Sequence, residues 1–142
     1  MKSVRKRSFC GISSLLDILG DKWSLLIIRD IMFKGKSTYG EFLASDEKIA
    51  TNILADRLEL LESQGFIVSK PHPDSRVKSV YSLTQKGLDL MPVLMEMLVW
   101  ADSHMEISQQ GRDFAKLIRS DRKGAVKRAL ERLRSGQKKG ER

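Results

Sequence analysis

Thr51, Asn52 and Ala55, close together in ATNILADRLELLESQG, have side chains shaped to meet the edges of base pairs. The Asn52 carboxamide donates and accepts at once, the paired bonding that recognises adenine. The Thr51 hydroxyl can do either, and Ala55 is small enough to meet a thymine methyl. Asp56, Glu59 and Glu62 follow on the same face and would repel phosphates, so only the first two turns of a helix here could enter a groove. Lys36, Thr38, Lys48, Arg76 and Lys78 are candidates for phosphate contacts, which position a protein on a duplex without reading its sequence. Arg57 lies at the edge of the apolar arc, where an ion pair with Glu41 or Asp30 suits it better than a DNA contact, because burying it unpaired would be costly.

Other reactive side chains are few. Cys10 is the only cysteine, which excludes an intramolecular disulfide and a multi-cysteine zinc site. It follows Arg5, Lys6 and Arg7, and nearby cations favour the reactive thiolate; a lone cysteine is also often just a small buried apolar residue. His72 and His104 are too far apart in sequence to point to a metal or a catalytic pair. The sequence has no phosphate-binding glycine loop, and no Ser, His and Asp set stands in a recognised context. The expectation is therefore no enzyme, no metal and no cofactor.

The elements that must position these residues are legible from periodicity and punctuation. At roughly 100° per residue, Ile53, Leu54, Leu58, Leu60 and Leu61 gather on one arc, which predicts an amphipathic helix from Ala50 that Gly65 stops. Thr38 and Glu41 have the spacing of a capping box opening a shorter helix that ends near Ser45. Phe66 to Lys70 reads as a strand, Pro71 to Ser75 as a turn and Val77 to Leu83 as a second strand, giving a hairpin with a basic exposed tip. Upstream, a short helix carrying Ile12, Leu15, Leu16, Ile18 and Leu19 ends at Gly20. Asp21 can cap a second, KWSLLIIRDIMF, apolar round nearly its whole circumference and so buried. If Arg29 and Asp30 lie near its buried side, they should be paired.

Thr84 caps the stretch TQKGLDLMPVLMEMLVWADSHM, in which Pro92 marks a kink or the true helix start. Leu94, Leu98 and Trp100 belong to an apolar face larger than one small domain covers, which points to a partner helix from a second copy of the chain. Beyond Met105, one or two basic helices are expected, interrupted at Gly111 and Gly124, with a frayed tail from Gly136.

Charge is uneven. Of the net +8, Lys2, Arg5, Lys6 and Arg7 supply +4 and the residues from Arg112 onward supply +8, leaving −4 for residues 11–111. Basic ends attract nucleic acid, acidic membranes or any polyanion without distinguishing them. No apolar run approaches the ~18 residues of a membrane span, and MKSVRKRSF has no signal-peptide core, so a cytoplasmic protein is expected.

Four stretches in order, KWSLLIIRDI, YGEFL, IATNILADRLELLESQG and YSLTQKGLDLMPVLMEMLVWA, resemble the HxlR-type winged helix-turn-helix regulators of bacteria across roughly Cys10 to His104. The resemblance implies a dimeric DNA-binding transcription factor, and several members respond to electrophiles or oxidants through a cysteine at the place of Cys10. Two departures stand out. Gly11 follows the cysteine where the family usually has proline, and Ala50-Thr51 opens the recognition helix where many members have Ser-Pro. Alanine is a poor N-cap, which leaves that task to Thr51 or a neighbour.

The sequence thus predicts a mainly α winged helix-turn-helix with a small β-hairpin wing. Residues 1–11 form a basic arm, 12–105 the DNA-binding domain with its dimerisation helix, and 106–142 a basic helical extension. The expected assembly is a homodimer through the first helix, at Leu15 and Leu16, and the helix after Thr84, at Leu94, Leu98 and Trp100. The expected partner is a double-stranded operator, with repression favoured over activation and Cys10 as a candidate redox sensor. Nothing in the sequence points to a pocket for a small-molecule effector. The competing reading is a winged-helix module for protein-protein contact whose polyanion binding is incidental; a preference for one operator over random duplex would separate the two.

Overall fold

The computed structural model describes residues 3–140, with side chains as far as Gly136. The chain divides between Gly87 and Leu88 into two compact units. The first contains α1 (Gly11–Leu19), α2 (Ser24–Phe33), α3 (Tyr39–Leu43), α4 (Thr51–Ser63), β1 (Ile67–His72) and β2 (Ser75–Leu83), while α5 (Gln85–Leu88) lies at the boundary. The second contains α6 (Met91–His104), α7 (Gln109–Ser120) and α8 (Arg122–Gly140). Among the described residues no helix is long and apolar enough to cross a membrane.

In the first unit, α1 stops where the Gly20 N–H donates to the Leu16 carbonyl at 2.9 Å. A Cβ at Gly20 would lie 2.3 Å from that oxygen, so only glycine fits. Asp21 then opens α2 as expected: its carboxylate accepts from the Trp23 and Ser24 N–H groups, each at 2.9 Å. Helix α2 is the centre of the unit, with Ile27, Ile28, Ile31 and Met32 buried. Asp30 is buried too, and Arg29 pairs with it at 2.8 Å and with Glu47 at 3.1 Å, which answers the cost of burying its charge.

Helix α4 packs Leu54, Leu58, Leu60 and Leu61 inward against α2, α3 and β1. Each such side chain contributes about 1.5–3 kcal/mol through burial. Gly65, at φ +79°, takes the left-handed turn that ends the helix. The hairpin runs two residues further along β1 than the sequence predicts. Pro71 pairs opposite Ser79 and His72 opposite Ser75, with a bulge between them, so the turn shrinks to Pro73-Asp74. Proline is tolerated because the sheet has only two strands and Pro71 needs no donor on its open side.

The stretch after Thr84 is broken rather than continuous. Thr84 Oγ1 accepts from the Gly87 N–H at 3.2 Å to open α5, and Pro92 sits in the first turn of α6, marking a new helix start.

In the second unit, α7 packs on α6 and α8. Gly111, expected as an interruption, lies inside α7. A Cβ there would stand 3.2 Å from Ile107 Cδ1 and 3.6 Å from Leu98 Cδ1, so the glycine permits close packing on α6. Gly124 likewise lies inside α8, where a Cβ would fall 2.0 Å from Asp121 Oδ2. The break comes at Asp121, whose carboxylate accepts from the Gly124 N–H at 3.0 Å. Gly136 does not begin a tail: α8 continues to Gly140, and Glu141 and Arg142 lie outside the described residues, as do Met1 and Lys2.

Candidate nucleic-acid interface

The interface is built on α3, the turn after it, α4 and the hairpin. Helix α3 opens with the capping box read from the sequence: Thr38 Oγ1 accepts from the Glu41 N–H at 3.3 Å, and Glu41 Oε1 accepts from the Thr38 N–H at 3.1 Å. The Thr38 hydroxyl proton also goes to Glu41, at 3.0 Å. The box itself uses the hydroxyl only as an acceptor, so this proton can turn to a phosphate while both backbone bonds of the box stay closed. The Tyr39 hydroxyl donates to the Thr51 carbonyl at 3.0 Å, fastening α3 to the first residue of α4. Between them Lys48 is exposed at φ +57°, with its N–H on the Ser45 carbonyl, and Ile49 is buried beneath.

Thr51, Asn52 and Ala55 are all exposed on the first turns of α4, while Leu54 between them is fully buried. Neither Thr51 nor any neighbouring side chain caps the helix at Ala50. The first N–H groups of α4 therefore remain available to an acceptor from outside. Glu62, at the far end, accepts from Ser69 Oγ at 2.8 Å and so faces the base of the wing.

Arg57 is paired, as its place on the wheel predicts, but not with Glu41 or Asp30. It meets Asp21 at 3.4 Å and also Asp56. Asp21 lies far off in sequence, and only the packing of α4 on α2 brings it near. Burial by itself raises the Asp21 pKa, but hydrogen bonds from Ser24 and Trp23 and the charge of Arg57 outweigh it and hold the carboxyl below its ordinary value.

In the wing, Arg76 and Lys78 are exposed in the bulge between Ser75 and Ser79, and Lys70, also exposed, stands opposite Val80 nearer the base. The sequence gives no sign of one further pairing. Thr38 bridges Val80, and the Tyr81 N–H donates to the Ser37 carbonyl at 2.7 Å, which ties the residues just after Lys36 to the wing. A single bridge is too short to leave an alternating pattern. Tyr81 stacks obliquely on Phe42 at 6.1 Å, and burial, then the charge of Glu62 and Tyr39, raise its pKa.

The remaining candidates lie elsewhere. Cys10 is exposed at the N-cap of α1, with its N–H on Ser8 Oγ at 3.2 Å. Of the cations before it, Arg7 is committed to Asp17. On α1, Leu15 and Leu16 are exposed, along with Ile12. On α6, Leu94 and Leu98 are half-buried; α7 covers part of the apolar face expected for a second copy, and Leu98 lies against Gly111. Trp100 stays 60% exposed, in a stripe with Val93 at 42% and Met97 at 50%.

Two helices joined by a tight turn, the second with an uncapped polar N-terminus, and a two-stranded basic wing define a winged helix-turn-helix regulator of the DNA-binding type. Residues 18–109 match the HxlR-like helix-turn-helix family. The chain is 36% identical over 88 residues to the HTH-type transcriptional regulator sll1512 of Synechocystis, covering 62% of this chain and 64% of that one. It is 34% identical over 95 residues to the HTH-type transcriptional regulator YodB of Bacillus subtilis, covering 67% and 84%. The reduced form of YodB superposes with a TM-score of 0.57 at 33% identity, over 70% of this chain and 97% of that one. The oxidised form of the redox regulator HypR gives 0.61 at 28%, over 69% and 100%. The chain belongs to the HxlR-like helix-turn-helix family. The matched region ends at residue 109, so α7 and α8 lie almost wholly beyond it.

Proposed function

We propose that this protein is an operator-binding transcriptional repressor that acts as a homodimer and senses oxidants or electrophiles through Cys10. Each protomer places the first two turns of α4 in a major groove, where Thr51, Asn52 and Ala55 meet base edges. Lys36, Thr38, Lys48, Arg76 and Lys78 hold phosphates on either side. The observation that carries this reading is the start of α4: three base-reading side chains stand exposed beside uncapped N–H groups, on a helix whose other face is locked into the core. Exposed apolar side chains on α1 and α6 support a two-fold partner. For Cys10 the support is its exposure, together with YodB, a relative whose structures include diamide-treated and quinone-bound forms. Occlusion of the promoter is the simplest output of such a dimer.

Selection of bound sites from a random duplex library tests the proposal. The expected product is a two-fold symmetric site with half-sites about one helical turn, ~34 Å, apart, preferred over random duplex by ~10³-fold or more. Asn52→Ala should relax one position in each half-site. Equal binding to every duplex, or an unchanged preference in the variant, would overturn the reading and favour a protein-contact module.

A further inference from the structure

Helix α8 carries a cationic face with no counterpart in the described protein. Lys123, Lys127, Arg128, Arg132 and Arg134 are all exposed, with Glu131 the single acid among them. At 100° per residue Lys123, Lys127 and Arg134 line one edge of the exposed arc and Arg128 and Arg132 the other edge, which adjoins the buried Ala125 and Ala129. Two neighbouring arginines have other duties. Arg119 bonds to Asp102, Ser103 and the Val99 carbonyl, and Arg122 pairs with Glu96, so both fasten the helices of this unit together. None of the five outward cations forms an ion pair with another described residue. Lys123 and Lys127, and Arg128 and Arg132, are like charges four apart, an arrangement that destabilises a helix unless an outside anion shares it.

Resting on the operator-binding role of α4, we infer that the outer face of α8 is a second, sequence-independent DNA-binding surface that holds duplex phosphates. From Lys123 to Arg134 the helix rises roughly 16 Å, at 1.5 Å per residue. A duplex presents about ten phosphate charges over that length, ample for five cations. The chemistry of the face narrows the partner. It has no aromatic side chain on which single-stranded bases could stack. The apolar side of the helix is turned inward and half to fully buried, which denies it to a lipid surface. Lysines and arginines on a helix suit a phosphate backbone and read no bases.

The test compares the full-length protein with its K123Q/K127Q/R128Q/R132Q/R134Q variant by fluorescence anisotropy between 50 and 300 mM salt. The probes are the selected site with about ten flanking base pairs on each side, the same site without flanks, and a random duplex of the longer length. The slope of log affinity against log salt should fall by about 2–4 units on both long duplexes, given up to ~0.9 per phosphate contact. The variant should also lose the advantage that flanks give the parent, with base preference unchanged. An R128K/R132K/R134K variant, which keeps the charge, should retain the parent slope. Glutamine sustains helix, and far-UV circular dichroism reports folding; should the fivefold change unfold the chain, K123Q/K127Q/R134Q should still lower the slope by about 1–2.5 units. A slope unchanged within half a unit on both long duplexes would overturn the inference. If the parent shows no operator preference yet its slope on random duplex falls in the variant, the operator reading fails and the α8 surface stands.

Discussion

Ala50 occupies the N-cap of α4 at φ −70° and ψ 146°, a backbone suited to a capping side chain that alanine cannot supply. Ala50→Ser should let an oxygen accept from the second or third N–H of the helix. That should stabilise the fold by about 1 kcal/mol and raise the thermal midpoint by about 4 °C in a chain of this length. Ala50→Asp should stabilise at least as well, because a carboxylate also complements the helix dipole. On DNA the two variants should part. The aspartate places negative charge where a phosphate would approach, and operator affinity should drop about 10- to 30-fold, equivalent to about 1.4–2 kcal/mol. Melting followed by circular dichroism and anisotropy titration at fixed salt give both quantities on the same samples. An unshifted midpoint for Ala50→Ser would mean that the first N–H groups already have acceptors. Undiminished binding by Ala50→Asp would remove the start of α4 from the DNA contact altogether.

Three further outcomes are expected. Asp21 is held below its ordinary value of about 3.9, so its stabilising contribution is complete above that value and is lost as pH falls through the lower folded value. Asp21→Asn should cost about 1 kcal/mol near neutrality and flatten the acid side of the stability curve below about pH 4; a parallel curve would detach Asp21 from acid unfolding. Trp100→Glu, alone or with Met97→Glu, should weaken self-association at least 30-fold in analytical ultracentrifugation while each chain stays folded, and an unchanged dimer would move the contact off the exposed stripe of α6. Cys10→Ser should leave operator affinity intact and abolish its loss on treatment with diamide or a quinone; a variant that still responds would relocate the sensor.

Features set by neighbouring residues were readable from the sequence. The Thr38-Glu41 box, the Asp21 cap, the stop at Gly65 and the start marked by Pro92 each depend on chemistry within four residues. The apolar arc of α4 was equally plain, because burial on one side imposes the helical period. What escaped depends on how side chains pack in three dimensions. Gly111 and Gly124 look like breaks because glycine disfavours helix, yet both lie inside helices, where a Cβ would crowd Ile107 and Leu98 at the first and the Asp121 carboxylate at the second. The partner of Arg57 was misread for the same reason, since Asp21 reaches it only through the packing of α2 on α4. For the start of α4 the residue types are legible, but the absence of any cap at Ala50 required coordinates.

The bond from the Tyr39 hydroxyl to the Thr51 carbonyl, with Arg29 reaching Glu47 in the intervening turn, gives the two short helices a common hold on the core. A duplex would meet a surface already assembled, with little left to order on contact. Discrimination between sites would then rest on how well each DNA sequence bends and pairs to suit a fixed template, and Tyr39→Phe would blur that choice before it weakened the grip.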